Sequence, residues 1–267
     1  MGAPPEHFET LSAELEDACR RQGGVTGLVL LGSAADATRR DEWSDHDFFI
    51  LLEPGALDLR DDLSWFPRAD TIVLTASEGT IGRVVVYEDG HVMEFAVGTE
   101  AELAIVRVNR HRIIYDGDGA LTRVIEHAVA RPPAADEDVS ANDIRLFLVK
   151  ILIGVGRIRR GEVLNGARFV RAWAVDQLVT VIRRRMPGSS PGSTDDLDPS
   201  RRFELDHPRI GQRIEAALTQ DPEEAAYGLF TLAREVLEPG WEAFPSRAAD
   251  AVAARLGWPA PNRIRRR

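Results

Sequence analysis

Two aspartates, Asp45 and Asp47, flank a single residue at the head of the apolar run Phe48 to Leu52. Side chains two apart on a strand share a face, so this spacing sets two carboxylates side by side at a strand edge. Carboxylates held that close repel each other unless a cation lies between them. Hard oxygen ligands of this kind suit Mg²⁺, which keeps several waters and takes one or two protein carboxylates together with substrate phosphates. Upstream, Gly32-Ser33 closes another apolar run, Val25 to Leu31. Glycine lets backbone approach a ligand closely. The Ser33 hydroxyl and nearby N–H groups can then donate to phosphate oxygens, most effectively if a helix starts from Ala34 onward.

The order Gly-Ser, eleven intervening residues, then Asp-x-Asp on a strand resembles the nucleotidyltransferase superfamily that includes DNA polymerase β and the antibiotic nucleotidyltransferases. The resemblance implies a third carboxylate on a later strand, and Glu94 in HVMEFAV stands where it belongs. It implies two Mg²⁺ ions held by Asp45, Asp47 and Glu94, with ATP or another NTP as co-substrate. His46 is a departure: the family usually has an apolar residue between the two acids. The change bears on packing behind the site and leaves the ligand set intact.

Other basic candidates lie further along. Lys150 is the only lysine among 33 basic residues. A lysine surviving in an arginine-dominated chain is a candidate for a position that needs a compact ammonium; chance retention is the plain alternative. In the family a lysine of the helical domain contacts the triphosphate, and Lys150 resembles it. Arg201-Arg202 beside Phe203 could clamp phosphates bidentately or pair with acids upstream. Asp176, by the same resemblance, could meet amino groups of an acceptor; a solvated helix acid is its ordinary reading. Asp116-Gly-Asp118-Gly lacks the later ligands of a calcium loop and reads as a turn.

The elements that must position these groups follow from periodicity. Phe8 to Gln22 reads as a helix stopped by Gly23-Gly24, and Val25 to Leu31 as a strand buried on both faces. The strand from Asp45 ends at Glu53-Pro54-Gly55. Leu57 to Phe66 reads as a helix carrying Trp65 into the core. Thr71 to Thr75, Gly82 to Tyr87 and His91 to Val97 read as strands, the last two joined by a turn at Glu88-Asp89-Gly90. That hairpin would return Glu94 toward the Asp45 strand. Thr99 to Val106 reads as helix or turn, Arg112 to Tyr115 as a short strand, and Leu121 to Ala130 as a helix.

After Arg131-Pro132-Pro133 the period changes from two to 3.6. Ser140 and Asp143 look like a capping box opening a helix with Ile144, Phe147, Leu148, Ile151, Leu152 and Val155 on one stripe, and Lys150 off it. A second helix spans Ala167 to Arg185. Met186 to Ser200 is rich in Pro, Gly, Ser and Asp and reads as a loop. Helices near Ile210 to Thr219, Pro222 to Leu237 and Ala248 to Leu256 complete a bundle. The basic tail Arg263 to Arg267 is too short to suggest a nucleic-acid role. The expected fold is α+β: a mixed-sheet domain over residues 1–131 that binds nucleotide and metal, then an α-helical bundle over residues 137–267 that binds substrate and nucleotide.

A chain of 267 residues fits one large or two small domains. Its formal net charge of −10 argues against a nucleic-acid partner, which would ask for a basic stripe. A single cysteine, Cys19, excludes an internal disulfide and reads as a packed thiol. No signal peptide or membrane-spanning run is visible, so the expected compartment is the cytoplasm. The domain order resembles the lincosamide and aminoglycoside nucleotidyltransferases, which implies transfer of AMP to a hydroxyl of a small, cationic acceptor and allows an active site shared across a homodimer. The competing expectations are nucleotidylation of a protein or RNA, and a nucleotide-binding antitoxin or sensor without turnover.

Overall fold

A computed structural model describes residues 5–129, 137–189 and 197–259. The chain divides into two compact units, Met1–Pro132 and Pro133–Arg267, and its fold is α+β. The linker read at Arg131-Pro132-Pro133, residues 190–196 of the loop read at 186–200, and the basic tail lie outside the described residues.

The first unit is built on a six-stranded sheet. Helix α1 (Pro5–Arg21) leads into β1 (Val25–Leu31), followed by a four-residue helix α2 (Gly32–Ala35) and β2 (His46–Leu52). Strands β3 (Ile72–Glu78), β4 (Gly82–Tyr87) and β5 (Val92–Gly98) come next. Helix α3 (Glu100–Leu103), β6 (His111–Asp116) and α4 (Ala120–Val129) complete the unit. The strand order is β3-β4-β5-β2-β1-β6. The β2–β5 pair is parallel, whereas β1 pairs antiparallel with both β2 and β6. The sheet is therefore mixed.

Alternation decides what each face of β2 buries. His46, Phe48, Ile50 and Leu52 point one way; the last three join Phe8, Leu11 and Leu15 of α1 in one core. Asp47, Phe49 and Leu51 point the other way, and Leu51 packs with Leu121, Val124 and Ile125 of α4. Cys19 is completely buried in the α1 core, as its reading as a packed thiol required. The Asp116-Gly-Asp118-Gly stretch is a turn: the Asp116 carboxylate accepts from the backbone N–H groups of Leu121 and Thr122 and caps α4.

Three local expectations fail here. Residues 57–66 form no α-helix but a short 3₁₀ turn, Leu57–Arg60, and further turns. The reason is tertiary: Arg60 is buried and donates to the Val97 carbonyl and the Glu102 carboxylate, which fixes the segment to β5 and α3. Trp65 still packs edge-on against Phe66 at 4.7 Å between ring centroids. The helix after the Gly-Ser turn begins at Gly32 rather than Ala34 and lasts four residues. Asp45 immediately precedes β2 rather than opening it.

The second unit is helical among its described residues. Helix α5 (Glu137–Arg159) is followed by α6 (Val163–Arg168), a π-helical turn over Phe169–Ala174, and α7 (Val175–Arg185). Then come α8 (Phe203–Asp206), α9 (Pro208–Leu218), α10 (Pro222–Leu237) and α11 (Ser246–Leu256). The apolar stripe of α5 is buried from Ile144 to Val155, with Leu152 half-buried at its edge. The capping box at Ser140 and Asp143 is not one, because α5 begins three residues earlier; Ser140 is buried inside the helix, and Asp143 pairs with Arg184 of α7. The second helix starts at Val163 rather than Ala167 and carries the π turn, which reaims the face bearing Trp173.

Candidate active site

The sheet brings the three acids together. Pairing of β2 with β5 sets Asp47 directly opposite Glu94 and His46 opposite Met93. Parallel pairing in that register puts Glu94 on the same face as Asp47, the face away from α1. Asp45, Asp47 and Glu94 each offer a carboxylate oxygen within 4.8 Å of the others. The two aspartates are half-buried and Glu94 is exposed. An all-oxygen, triply anionic donor set at the open end of two strands fits a hard divalent cation such as Mg²⁺ and leaves room for waters or phosphate.

The Gly32 turn stands against this cluster. Gly32 has φ of +51°, a conformation that a Cβ penalises. A Cβ built there would lie 3.2 Å from Oδ2 of Asp47, so glycine lets the turn approach the carboxylate. Its N–H donates to the Arg110 carbonyl at 3.1 Å, which fastens the turn to the start of β6. Ser33 is half-buried in α2. Asp36, just beyond α2, accepts from Thr38 and pairs with the Arg110 guanidinium at 3.1 Å, bracing the turn from its other end.

The remaining candidates lie in the second unit. The Lys150 ammonium stands 5.3 Å from the Trp173 ring centroid and 5.5 Å from that of Phe169. These rings belong to the π turn, so Lys150 is held off the buried stripe by cation–π contact. Arg202 has φ of +59° and precedes α8, while the Arg201 carbonyl accepts from Arg183. Burial opposes the charge of Asp198, yet hydrogen bonds from Ser200 and the nearby Arg201 guanidinium hold its carboxyl below the usual range. Arg201 therefore has the upstream acid as a partner. Burial and the charge of Asp198 push the Asp176 carboxyl up.

His91, Ser12 and Arg110 carry no motif and were not singled out from sequence. Each touches the site's supports through a contact at least 34 residues away along the chain.

No family model matches the chain, and no curated protein matches it. Among solved structures, the chain is similar to an aminoglycoside 6-adenyltransferase from Bacillus subtilis at 11% identity, with 95% of this chain and 93% of that chain covered and a TM-score of 0.31. It is also similar to a nucleotidyltransferase-like protein from Exiguobacterium sibiricum at 12% identity, with 86% and 75% covered and a TM-score of 0.35. A third is the CD-NTase CdnG of Bradyrhizobium diazoefficiens in complex with GTP, at 14% identity, with 94% and 91% covered and a TM-score of 0.27. At such identities and scores these likenesses carry no functional weight, and what the chain can do must be read from its carboxylates.

Proposed function

We propose that the chain is a nucleotidyltransferase that moves a nucleoside monophosphate, AMP, from an NTP to a hydroxyl of a small cationic acceptor and releases pyrophosphate. The observation that carries this reading is the convergence of Asp45, Asp47 and Glu94 within 4.8 Å beside a glycine turn. The acceptor class, a lincosamide or aminoglycoside, is supported by the family resemblance and by the net charge of −10. Acidity favours capture of a cation.

The reaction needs an acceptor oxygen, the α-phosphorus and the leaving oxygen brought into line, and the phosphate charge neutralised. Asp45, Asp47 and Glu94 would hold the divalent ions, which when bound would supply neutralisation of the phosphate charge. Glu94, the most exposed of the three acids, is the carboxylate best placed to accept the proton of the acceptor hydroxyl. Ser33 and the N–H groups of α2 bind the β- and γ-phosphates. Lys150, Arg201 and Arg202 are, by the family resemblance, the candidate cationic contacts to the nucleotide.

The test is pyrophosphate release from each NTP with Mg²⁺, with and without a panel of aminoglycosides and lincosamides. Release that requires a small molecule supports the proposal. Label transferred instead to protein or tRNA, or nucleotide binding without turnover on any acceptor, refutes it. Asp45→Asn and Asp47→Asn should each abolish release while the melting temperature stays within a few degrees; near-normal turnover in either would refute the metal assignment.

A further inference from the structure

We propose that His46 and His91 are positioning residues that hold the carboxylates in register through a buried hydrogen-bonded column; this rests on the metal site just proposed. His46 is completely buried between two ligand positions, with its ring on the opposite face of the sheet. Its Nδ1 lies 2.6 Å from Nε2 of His91 and its Nε2 lies 2.8 Å from Oγ of Ser12.

The Ser12 hydroxyl in turn donates to the Phe8 carbonyl at 3.0 Å. The column therefore runs from His91 through His46 and Ser12 to the backbone of α1.

This column joins the strands that carry the acids to α1. His91 ends the turn before β5, where its carbonyl accepts from Tyr87 N and its N–H donates to Asp89. Three residues on, Glu94 faces Asp47. The His91–His46 bond therefore pins the Glu94 strand to the Asp45–Asp47 segment. His46 also stacks on Phe8, with ring centroids 3.5 Å apart and planes 10° apart. The Arg40 guanidinium lies 4.0 Å from the centre of the same Phe8 ring and donates to the Ala34 carbonyl of α2. Glycine turn, aspartates and glutamate are thus tied to one buried stack. An apolar residue at 46 would fill the space but leave Ser12 and His91 without their bond, and the two strands would lose their cross-link ahead of the ligands.

The experiment compares the full-length chain with His46→Leu, His46→Gln, His91→Leu and Asp45→Asn. Mn²⁺ affinity is read by electron paramagnetic resonance, the Mg²⁺ dependence of pyrophosphate release by kinetics, and folding by circular dichroism and melting. Groups that orient metal ligands typically contribute about ten- to a hundred-fold in metal affinity or activity. His46→Leu and His91→Leu should weaken Mn²⁺ binding by about that factor and move half-maximal rate to higher Mg²⁺, with excess Mg²⁺ restoring part of the rate. His46→Gln, which keeps a hydrogen-bonding amide near the Nε2 position, should recover part of the loss. Asp45→Asn should not respond to excess Mg²⁺. If His46→Leu does not fold, the half-buried His91 decides the matter. A folded His91→Leu chain with wild-type Mn²⁺ affinity and Mg²⁺ dependence, while Asp45→Asn has lost both, overturns the positioning role alone. A wild-type chain that neither binds Mn²⁺ nor releases pyrophosphate overturns the metal site and this inference with it.

Discussion

Replacing Gly32 by alanine separates backbone strain from damage to the site. Gly32 has φ of +51°, and a residue with a Cβ loses about 1–2 kcal/mol in the left-handed region. For a unit of this size that lowers the melting temperature by roughly 3–10 °C. The new methyl group would also stand 3.2 Å from Oδ2 of Asp47, so the carboxylate must retreat by a few tenths of an ångström. Misplacing a reacting group by about an ångström costs on the order of a hundredfold in rate, so a smaller shift of a metal ligand should cost roughly tenfold. Gly79 supplies the control. It has φ of +62° in the turn between β3 and β4, and nothing lies within 4 Å of a Cβ built there. Gly79→Ala should therefore lower the melting temperature by a similar amount and leave turnover unchanged. The assay is pyrophosphate release at saturating Mg²⁺ and NTP, well below both melting temperatures. Equal thermal losses with full turnover in Gly32→Ala would refute the idea that this turn presses against a catalytic carboxylate.

Further outcomes follow from single contacts. Lys150→Met should raise the KM for NTP with little change in melting temperature, since the ammonium meets two aromatic faces and is not in the apolar core; an unchanged KM would refute nucleotide contact. Burial, with the nearby Glu16 charge, pushes the Cys19 thiol from its ordinary 9.0 up to about 12. The native thiol should resist a disulfide reagent at pH 8 and react only on unfolding, and rapid labelling of the folded chain would contradict its burial. The same shift has a sign for stability: a thiol that ionises near 9.0 when unfolded and near 12 when folded stabilises the fold below pH 9.0, and that contribution is lost as pH rises toward 12. Melting between pH 8 and 11 in wild type and Cys19→Ala checks it. Asp206 and Arg183 form an ion pair with side chains only 3% and 7% exposed, and Arg183 also donates to the carbonyls of Pro199 and Arg201. Asp206→Ala should cost about 3–5 kcal/mol, because it leaves the guanidinium buried without its counter-charge; denaturant unfolding measures it, and a loss under 1 kcal/mol would refute a structural role for the pair.

What the sequence disclosed and what it hid divide along one physical line. Asp47 is legible because a period of two sets it on one face of β2, and Asp45, just ahead of the strand, still converges with it. Glu94 is legible because Glu88-Asp89-Gly90 permits only a tight return between two apolar strands. The register that sets Glu94 opposite Asp47 is another matter: it comes from parallel pairing of β2 with β5 across the whole β3–β4 excursion, and no local pattern encodes it. The failure at residues 57–66 has the same origin. Leu57 to Phe66 reads locally as a helix, but Arg60 reaches 37 and 42 residues ahead to Val97 and Glu102, and those bonds outweigh local propensity. Ser140 looks like a cap because Ser-x-x-Asp is a local signature, yet buried serines inside helices share it. His46 is the sharpest case. As a lone letter between two acids it is only a departure from an apolar pattern. Its partners, Ser12 and His91, stand 34 and 45 residues away. Groups that do chemistry announce themselves by type and short spacing, whereas groups that hold them in place are defined by long-range contact. If the column holds the carboxylates as proposed, a substitution at His46 acts on metal binding without touching a ligand.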